Sequence, residues 1–246
     1  MTSFKELTIH FETANNIPPP FSYQYKFVLK HTSLSLMADV SLVYTDRDEV
    51  QADEIEAEGF TDNDDFNWKG SLELVWQAEI EKLLLNSKIT NTKVNDETDL
   101  LVLEYDGEKG VPSSLQKWHL LAQELIQAAY ETAKKEHPFE LIVLKKEQTQ
   151  TTEAKLTASF INRTIAIDNT TGQKSLDWKT LTSMMETIFA PDYLTNEAST
   201  SRPTKSGLFV SVGDGLWYEV GRQVVEPGRK SQIVPKLVIL LEKILS

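Results

Sequence analysis

The densest concentration of chemically active side chains in this sequence is a run of acids from Asp46 to Asp65. It holds ten carboxylates and a single base, Arg47. Carboxylates at this density could coordinate a divalent cation, transfer protons or attract a basic partner. Because such a segment buries too little apolar surface to offset the entropy of ordering it, we expect a mobile loop.

Part of this run, residues 62–67, has the composition of a calcium-binding loop. When the loop is started at Asn63, Trp68 falls where the sharp turn needs glycine and Leu74 falls where a bidentate glutamate is needed. These departures favour a solvated acidic surface, so no metal site is predicted. The residues predicted to bind a protein partner are Asp53, Glu54, Glu56, Glu58, Asp62, Asp64 and Asp65.

Histidines offer little further chemistry. No two of them have the spacing of a metal-ligand pair, and surface or helix-capping roles are expected for each. The four are His10, His31, His119 and His137. The chain also lacks the Walker, G-x-S-x-G and G-x-G-x-x-G sequences. No catalytic residue and no cofactor is therefore predicted.

Two tryptophans, Trp68 and Trp178, could stack on a ligand. Each stands as the first apolar residue of an amphipathic pattern, so we expect both in the core. A basic C-terminal segment, residues 202–236, could bind an anion or pair with the acidic run.

Composition sets the class of protein. The 246 residues carry a net charge of −12 and include no cysteine, which excludes disulfides and thiolate sites. Residues 1–112 hold 9 Lys/Arg and 22 Asp/Glu, whereas residues 113–246 hold 16 and 15. The acidity of the first part disfavours nucleic acid and anionic membranes as partners. Without a signal peptide pattern at the N-terminus, the cytoplasm is the expected compartment.

Alternating apolar residues predict strands, and apolar residues at helical spacing predict helices. Strands are expected at 5–12, 22–30, 33–44, 99–105, 139–147, 153–161, 164–168, 208–212 and 216–220, with a weak edge strand at 88–94 and a turn at Asn95-Asp96. Helices are expected at 68–85, at 113–136, from Asp177 to Pro191 and from Pro235 onward. The last helix is apolar almost all round, so we expect it to be buried.

The order of these elements predicts an α+β fold with predominantly antiparallel sheets and helices packed on one face. The tripeptides Asn67-Trp68-Lys69 and Asp177-Trp178-Lys179 each open a predicted helix. They indicate an internal duplication into two related βββαββα halves. The first half is 1–112 with the acidic loop 46–65, and the second is 113–246, led by the helix at 113–136. The alternative is a single large α+β domain.

This element order resembles that of type III secretion chaperones, which are small acidic proteins that hold partly unfolded clients. The second half, with Ser113 to Lys135 as its leading helix, is the better match. The resemblance lies in element order and acidity and implies no site residue.

Three functions remain open from the sequence. The favoured one is a non-enzymatic cytoplasmic protein-binding module, of chaperone-like, adaptor or immunity type, that binds a basic protein partner through the acidic run. The alternative is a hydrolase with a cryptic, metal-assisted site between the two halves. The third is a structural subunit of a homo-oligomer.

Overall fold

A computed structural model of the chain describes residues 4–32, 34–91, 97–228 and 231–246. The fold class is α+β, with antiparallel sheets, as the sequence predicted. Two compact units are present, Met1–Glu136 and His137–Ser246. No helix in the described ranges is long and apolar enough to cross a membrane.

The first unit is built on a seven-stranded sheet with the order β4-β3-β2-β1-β6-β7-β5. Its elements are β1 (Glu6–Glu12), β2 (Tyr23–His31), β3 (Leu36–Tyr44), α1 (Ala52–Ala57), β4 (Phe66–Leu72), α2 (Leu74–Leu85), β5 (Ile89–Thr90), β6 (Leu100–Tyr105), β7 (Glu108–Pro112) and α3 (Leu115–Thr132). The predicted turn at Asn95-Asp96 lies outside the described residues.

Period-two alternation explains the core of this unit. Leu7, Ile9 and Phe11 of β1 are buried, and their neighbours on β2 in register are buried as well. The alternating positions of β3 and β6 continue the same apolar face. Helices α2 and α3 add Trp76 and Trp118, both fully buried. Contacts of α3 with β4 and β7 place this helix against the sheet.

The second unit is built on a six-stranded sheet with the order β11-β10-β9-β8-β13-β14 and a separate pair, β12-β15. Its elements are β8 (Phe139–Lys146), β9 (Thr151–Ser159), β10 (Thr164–Asn169), β11 (Gly172–Leu176), α4 (Leu181–Phe189), β12 (Asp192–Tyr193), β13 (Gly207–Ser211), β14 (Tyr218–Glu219), β15 (Val224–Val225) and α5 (Ile233–Leu245). One apolar cluster joins the inner face of this sheet to α4 and α5.

Apart from α1, which lies between β3 and β4, the two units share one order of main elements. In each, four strands form a meander, a helix follows, a later strand pairs with the first strand of the meander, and a helix ends the unit. The sequence predicted three strands before the Trp-led helix of each half, whereas the structure has four strands before α2 and four before α4. An evolutionary duplication stays a prediction.

The helix predicted at 68–85 begins later than predicted, because Trp68 lies in a strand. Residues 66–72 form β4, in which Trp68 pairs with Val40 of β3, and α2 begins at Leu74. In contrast, Trp178 lies in a 3-10 turn that leads into α4. The two tripeptides that motivated the duplication therefore occupy different structural positions. Phe66, Trp68, Gly70 and Leu72 alternate on one face, and this strand period outweighs the helical spacing.

Gly70 is needed beside Trp68 on β4. A Cβ atom added at Gly70 would lie 2.1 Å from Cζ2 of the Trp68 ring, which covers the glycine. We expect Gly70→Ala to lower the free energy of unfolding by about 2 kcal/mol, because the ring must leave its place. Urea unfolding measures this loss. A matched control is Gly228→Ala, where an added Cβ meets no atom within 4 Å. Equal stability of the two variants would contradict this placement of the ring.

The helix predicted to lead the second half packs in the first unit. Nε1 of Trp118 on α3 donates to Oγ of Ser87 at 2.9 Å. The ring centroids of Tyr130 on α3 and Phe66 on β4 lie 4.4 Å apart. The compact units divide at 136/137 rather than at the predicted 112/113. The reason is that the apolar face of α3 is buried against elements that precede it in the chain.

Helix α3 also ends earlier than predicted, and α5 is less buried. The chain leaves α3 at Lys134, which has a φ of 58°, and the amide of Lys135 donates to the carbonyl of Tyr130. In α5, Leu237 and Leu241 are buried, but Ile239 is 69% exposed. The prediction of a helix buried all round is therefore wrong, since only one face of α5 packs on the sheet.

Candidate functional site: an acidic platform on the first unit

The acidic run is folded around its single base. Arg47 is only 10% exposed, and its Nη1 donates to the carbonyl of Thr61 at 2.7 Å and to Oδ2 of Asp64 at 2.6 Å. Its guanidinium also lies 3.9 Å from the ring centroid of Tyr44 and 4.8 Å from that of Phe60. Arg47 thus joins the beginning of the run to its end.

Within the run, helix α1 buries one apolar side chain and ends in a C-terminal capping motif. Ile55 is buried, and Gly59 has a φ of 84°. The amide of Phe60 donates to the carbonyl of Ile55, and the amide of Gly59 donates to the carbonyl of Glu56. This is the Schellman arrangement that ends a helix at glycine. Where the composition predicted a loop, the structure therefore has a 3-10 turn at Arg47–Glu49 and the helix α1, because Arg47, Ile55 and Phe60 supply contacts that composition does not indicate.

Two of the seven predicted partner-binding residues are used inside the fold. Asp64 accepts hydrogen bonds from the amide and hydroxyl of Thr61 as well as from Arg47. Burial would raise the pKa of this carboxyl, but these hydrogen bonds and the charge of Arg47 outweigh it and hold the pKa below its ordinary value. Asp65 accepts from the amide of Tyr44 at 2.9 Å. Both residues hold the hairpin between β3 and β4.

The other five predicted residues face solvent. We call them the acidic platform: Asp53, Glu54, Glu56, Glu58 and Asp62. None of the five has an ion-pair partner in the part of the chain that the structure describes. Phe60 follows α1 in the chain, and the ring of Phe21, which is 44% exposed, has its centroid 5.7 Å from that of Phe60. The run thus offers a partner exposed carboxylates on a segment whose aromatic residue packs against an exposed ring.

The pKa values of Tyr130 and Tyr44, which lie near the acidic run, are raised. Burial, together with the charges of Tyr44, Glu136 and Asp64, raises the pKa of Tyr130 to about 12. Burial likewise raises the pKa of Tyr44, although Arg47 opposes the rise. These phenols stay neutral at physiological pH, so the negative charge of this region comes from its carboxylates.

The described residues bring no three histidine or carboxylate side chains together in a way that could hold a metal ion. His10 lies on β1, His31 ends β2, His119 lies on α3 and His137 begins the second unit. In the calcium-like segment, Asp64 is already engaged by Arg47. The alternative function, a metal-assisted hydrolase, stays an alternative from the sequence.

One polar cluster was not predicted. Phe11 lies between Tyr25 and His119, with ring centroids 4.8 Å and 4.5 Å from its own. Nε2 of His119 is 3.9 Å from Oδ2 of Asp99. The hydroxyl of Tyr25 and Nδ1 of His119 are buried and have no hydrogen-bond partner among the described residues. Burial holds the pKa of Tyr25 far above its ordinary value, so this phenol stays neutral at physiological pH. Nothing in the spacing of positions 25, 99 and 119 could have indicated the cluster.

The basic segment 202–236 pairs largely with acids of its own unit. Arg202 forms an ion pair with Glu153, and Lys205 and Arg222 both pair with Glu219. Residues 229 and 230 lie outside the described ranges. The bases that the structure describes here are therefore poor candidates for a free anion site.

Comparison of the chain with known protein families, proteins and structures finds no similar protein. No protein family, no curated protein and no solved structure matches the chain. The resemblance of the element order to type III secretion chaperones stays an expectation from the sequence.

Proposed function

We propose that the chain is a non-enzymatic, cytoplasmic protein-binding module whose first unit binds a basic segment of a partner protein. The observation that carries this proposal is the acidic platform, five exposed carboxylates without an ion-pair partner among the described residues, on a segment that Arg47 and Ile55 anchor to the fold. A platform that is ordered before binding costs a complex less entropy than a mobile loop would. Its one-sided charge steers a basic partner toward the site.

The charge distribution between the units supports the same assignment. Residues 1–136 hold 12 Lys/Arg and 25 Asp/Glu, whereas residues 137–246 hold 13 and 12. Negative charge is thus concentrated on the unit that carries the platform. A chaperone-like, an adaptor and an immunity-type role all use such a surface, and the identity of the partner separates them.

Five amide substitutions test the proposal better than a deletion. Removing residues 46–65 would also remove Arg47, Ile55 and Phe60, which pack against the fold. The platform variant therefore carries Asn at 53 and 62 and Gln at 54, 56 and 58. Because all five side chains are exposed, its stability should stay within about 0.5 kcal/mol of the parent.

The experiment is comparative capture from a native lysate at low salt, with bound proteins identified by mass spectrometry. The control removes five exposed acids elsewhere: Glu12, Glu73, Glu108, Glu186 and Asp192. We expect a protein retained by the parent and the control, lost with the platform variant and released at roughly 0.5 M salt, where exposed charges are screened. If the platform variant retained every protein that the parent retains, or if the parent retained none, the proposal would fail.

A further inference from the structure

The second unit contains an apolar groove between α4, α5 and the edge strand β11. Its volume is about 330 Å³, within the range of small-molecule sites. The floor consists of apolar side chains from both helices and from the sheet: Ile167, Leu176, Met184, Leu240 and Ile244. The groove belongs to the second unit alone and does not depend on the acidic platform.

A lysine stands at this groove with its side chain on the core side of the sheet. Lys174 pairs in register with the buried Ile167, so both point to the same face. Lys174 is half-buried, and its Nζ lies 3.4 Å from the carbonyl oxygen of Lys243 at the end of α5. Neither lysine has a carboxylate partner within ion-pair distance among the described residues. Lys174 and Lys243 thus both line the apolar groove, and the described residues offer neither of them an ion-pair partner.

The hydroxyl groups at the groove, from Thr180 just before α4 and from Ser183 and Thr187 on α4, donate elsewhere. Oγ1 of Thr180 donates to the carbonyl of Asp177, Oγ of Ser183 to that of Thr180, and Oγ1 of Thr187 to that of Ser183. One carboxylate, Asp177, also lines the groove, and its Oδ1 already accepts a hydrogen bond from the amide of Lys179. The lysines remain as the polar donors that can meet a ligand. An inward lysine on an edge strand also deters pairing between sheets, but that role needs no open groove beside it.

We propose that this groove binds an amphiphilic carboxylate of the fatty-acid type. The apolar chain lies on the floor between α4 and α5, and the carboxylate accepts hydrogen bonds from Nζ of Lys174 and Nζ of Lys243. Apolar burial supplies affinity, and the charge-assisted hydrogen bonds supply the preference for an anion.

Decanoate, below its micelle-forming concentration, is the probe, and calorimetric titration of the full chain is the measurement. We expect saturable binding of one decanoate per chain, with n-decanol and decyltrimethylammonium binding at least about tenfold more weakly, since they lack the anionic group. Absence of decanoate binding, or equal binding of the alcohol, would overturn the proposal.

Three variants locate the site. Lys174→Met keeps the apolar stem and removes the charge, and we expect about tenfold weaker decanoate binding. Ser183→Phe places a ring in the groove from an exposed position and should abolish binding. The control is Lys236→Met, an exposed lysine of α5 outside the groove, which should bind as the parent does. Unchanged binding by both Lys174→Met and Ser183→Phe would show that decanoate binds elsewhere, which contradicts the assignment.

Discussion

Replacing Arg47 with Met is expected to lower the free energy of unfolding by about 2 kcal/mol, less than the cost of breaking a fully buried ion pair, because the Asp64 side chain is 26% exposed. The variant leaves Asp64 without its cation and the Thr61 carbonyl without its donor. It also removes the cation from between the rings of Tyr44 and Phe60. Urea unfolding followed by circular dichroism measures the loss.

A surface ion pair provides the matched control for this expectation. Lys69→Met breaks the contact between Lys69 and Asp39, whose side chains are 76% and 45% exposed. Such a pair contributes about 0.5 kcal/mol or less, because solvent screens it. If Arg47→Met cost no more than Lys69→Met, Arg47 would not organise the acidic run.

The same contact predicts how stability responds to acid. The pKa of Asp64 is lowered in the folded protein from its ordinary value of 3.8, so its ionised form stabilises the fold above that pH. This contribution is lost as the pH falls through the folded pKa. The loss should be smaller in Arg47→Met, in which Asp64 has one fewer partner.

Division of the chain at 136/137 predicts which fragments fold. A fragment of residues 1–136 is expected to unfold cooperatively in urea, whereas a fragment of residues 1–112 is expected to remain unfolded. The shorter fragment lacks α3, whose Trp118, Leu121 and Leu125 are buried. Burial of these side chains contributes roughly 2 kcal/mol each, which is a large part of the stability of a domain.

The complementary fragments complete this test. Residues 137–246 should fold, since their core is one cluster of the sheet with α4 and α5. Residues 113–246 carry α3 without the surface that buries its apolar face, so this fragment should associate or aggregate at micromolar concentration. A cooperative transition for 1–112 would show that α3 is dispensable to the first unit.

The sequence by itself determined the fold class and most of the strands. Apolar residues at every second position, such as Leu7, Ile9 and Phe11, are a local signal, because side chains two residues apart share a face of a strand. The hairpin around Gly213-Asp214-Gly215 is local in the same sense, and β13 and β14 pair across it. The sequence also determined that the negative charge lies in the first part of the chain.

Tertiary structure decided what local patterns leave open. Trp68 fits a helical face by spacing, but pairing with Val40 of β3 makes it part of a strand. The apolar face of α3 has the same pattern whichever sheet covers it, and only packing assigns it to the first unit. For this reason element boundaries and unit boundaries were less predictable than the strands themselves.

The candidate site divides in the same way. Composition identified all seven acids, but it could not separate the five exposed ones from Asp64 and Asp65, which hold the fold. That separation depends on Arg47, which reaches across 17 residues of chain to Asp64. Contacts that close such a loop have no periodic signature in the sequence, so only the folded chain reveals which carboxylates remain free to bind.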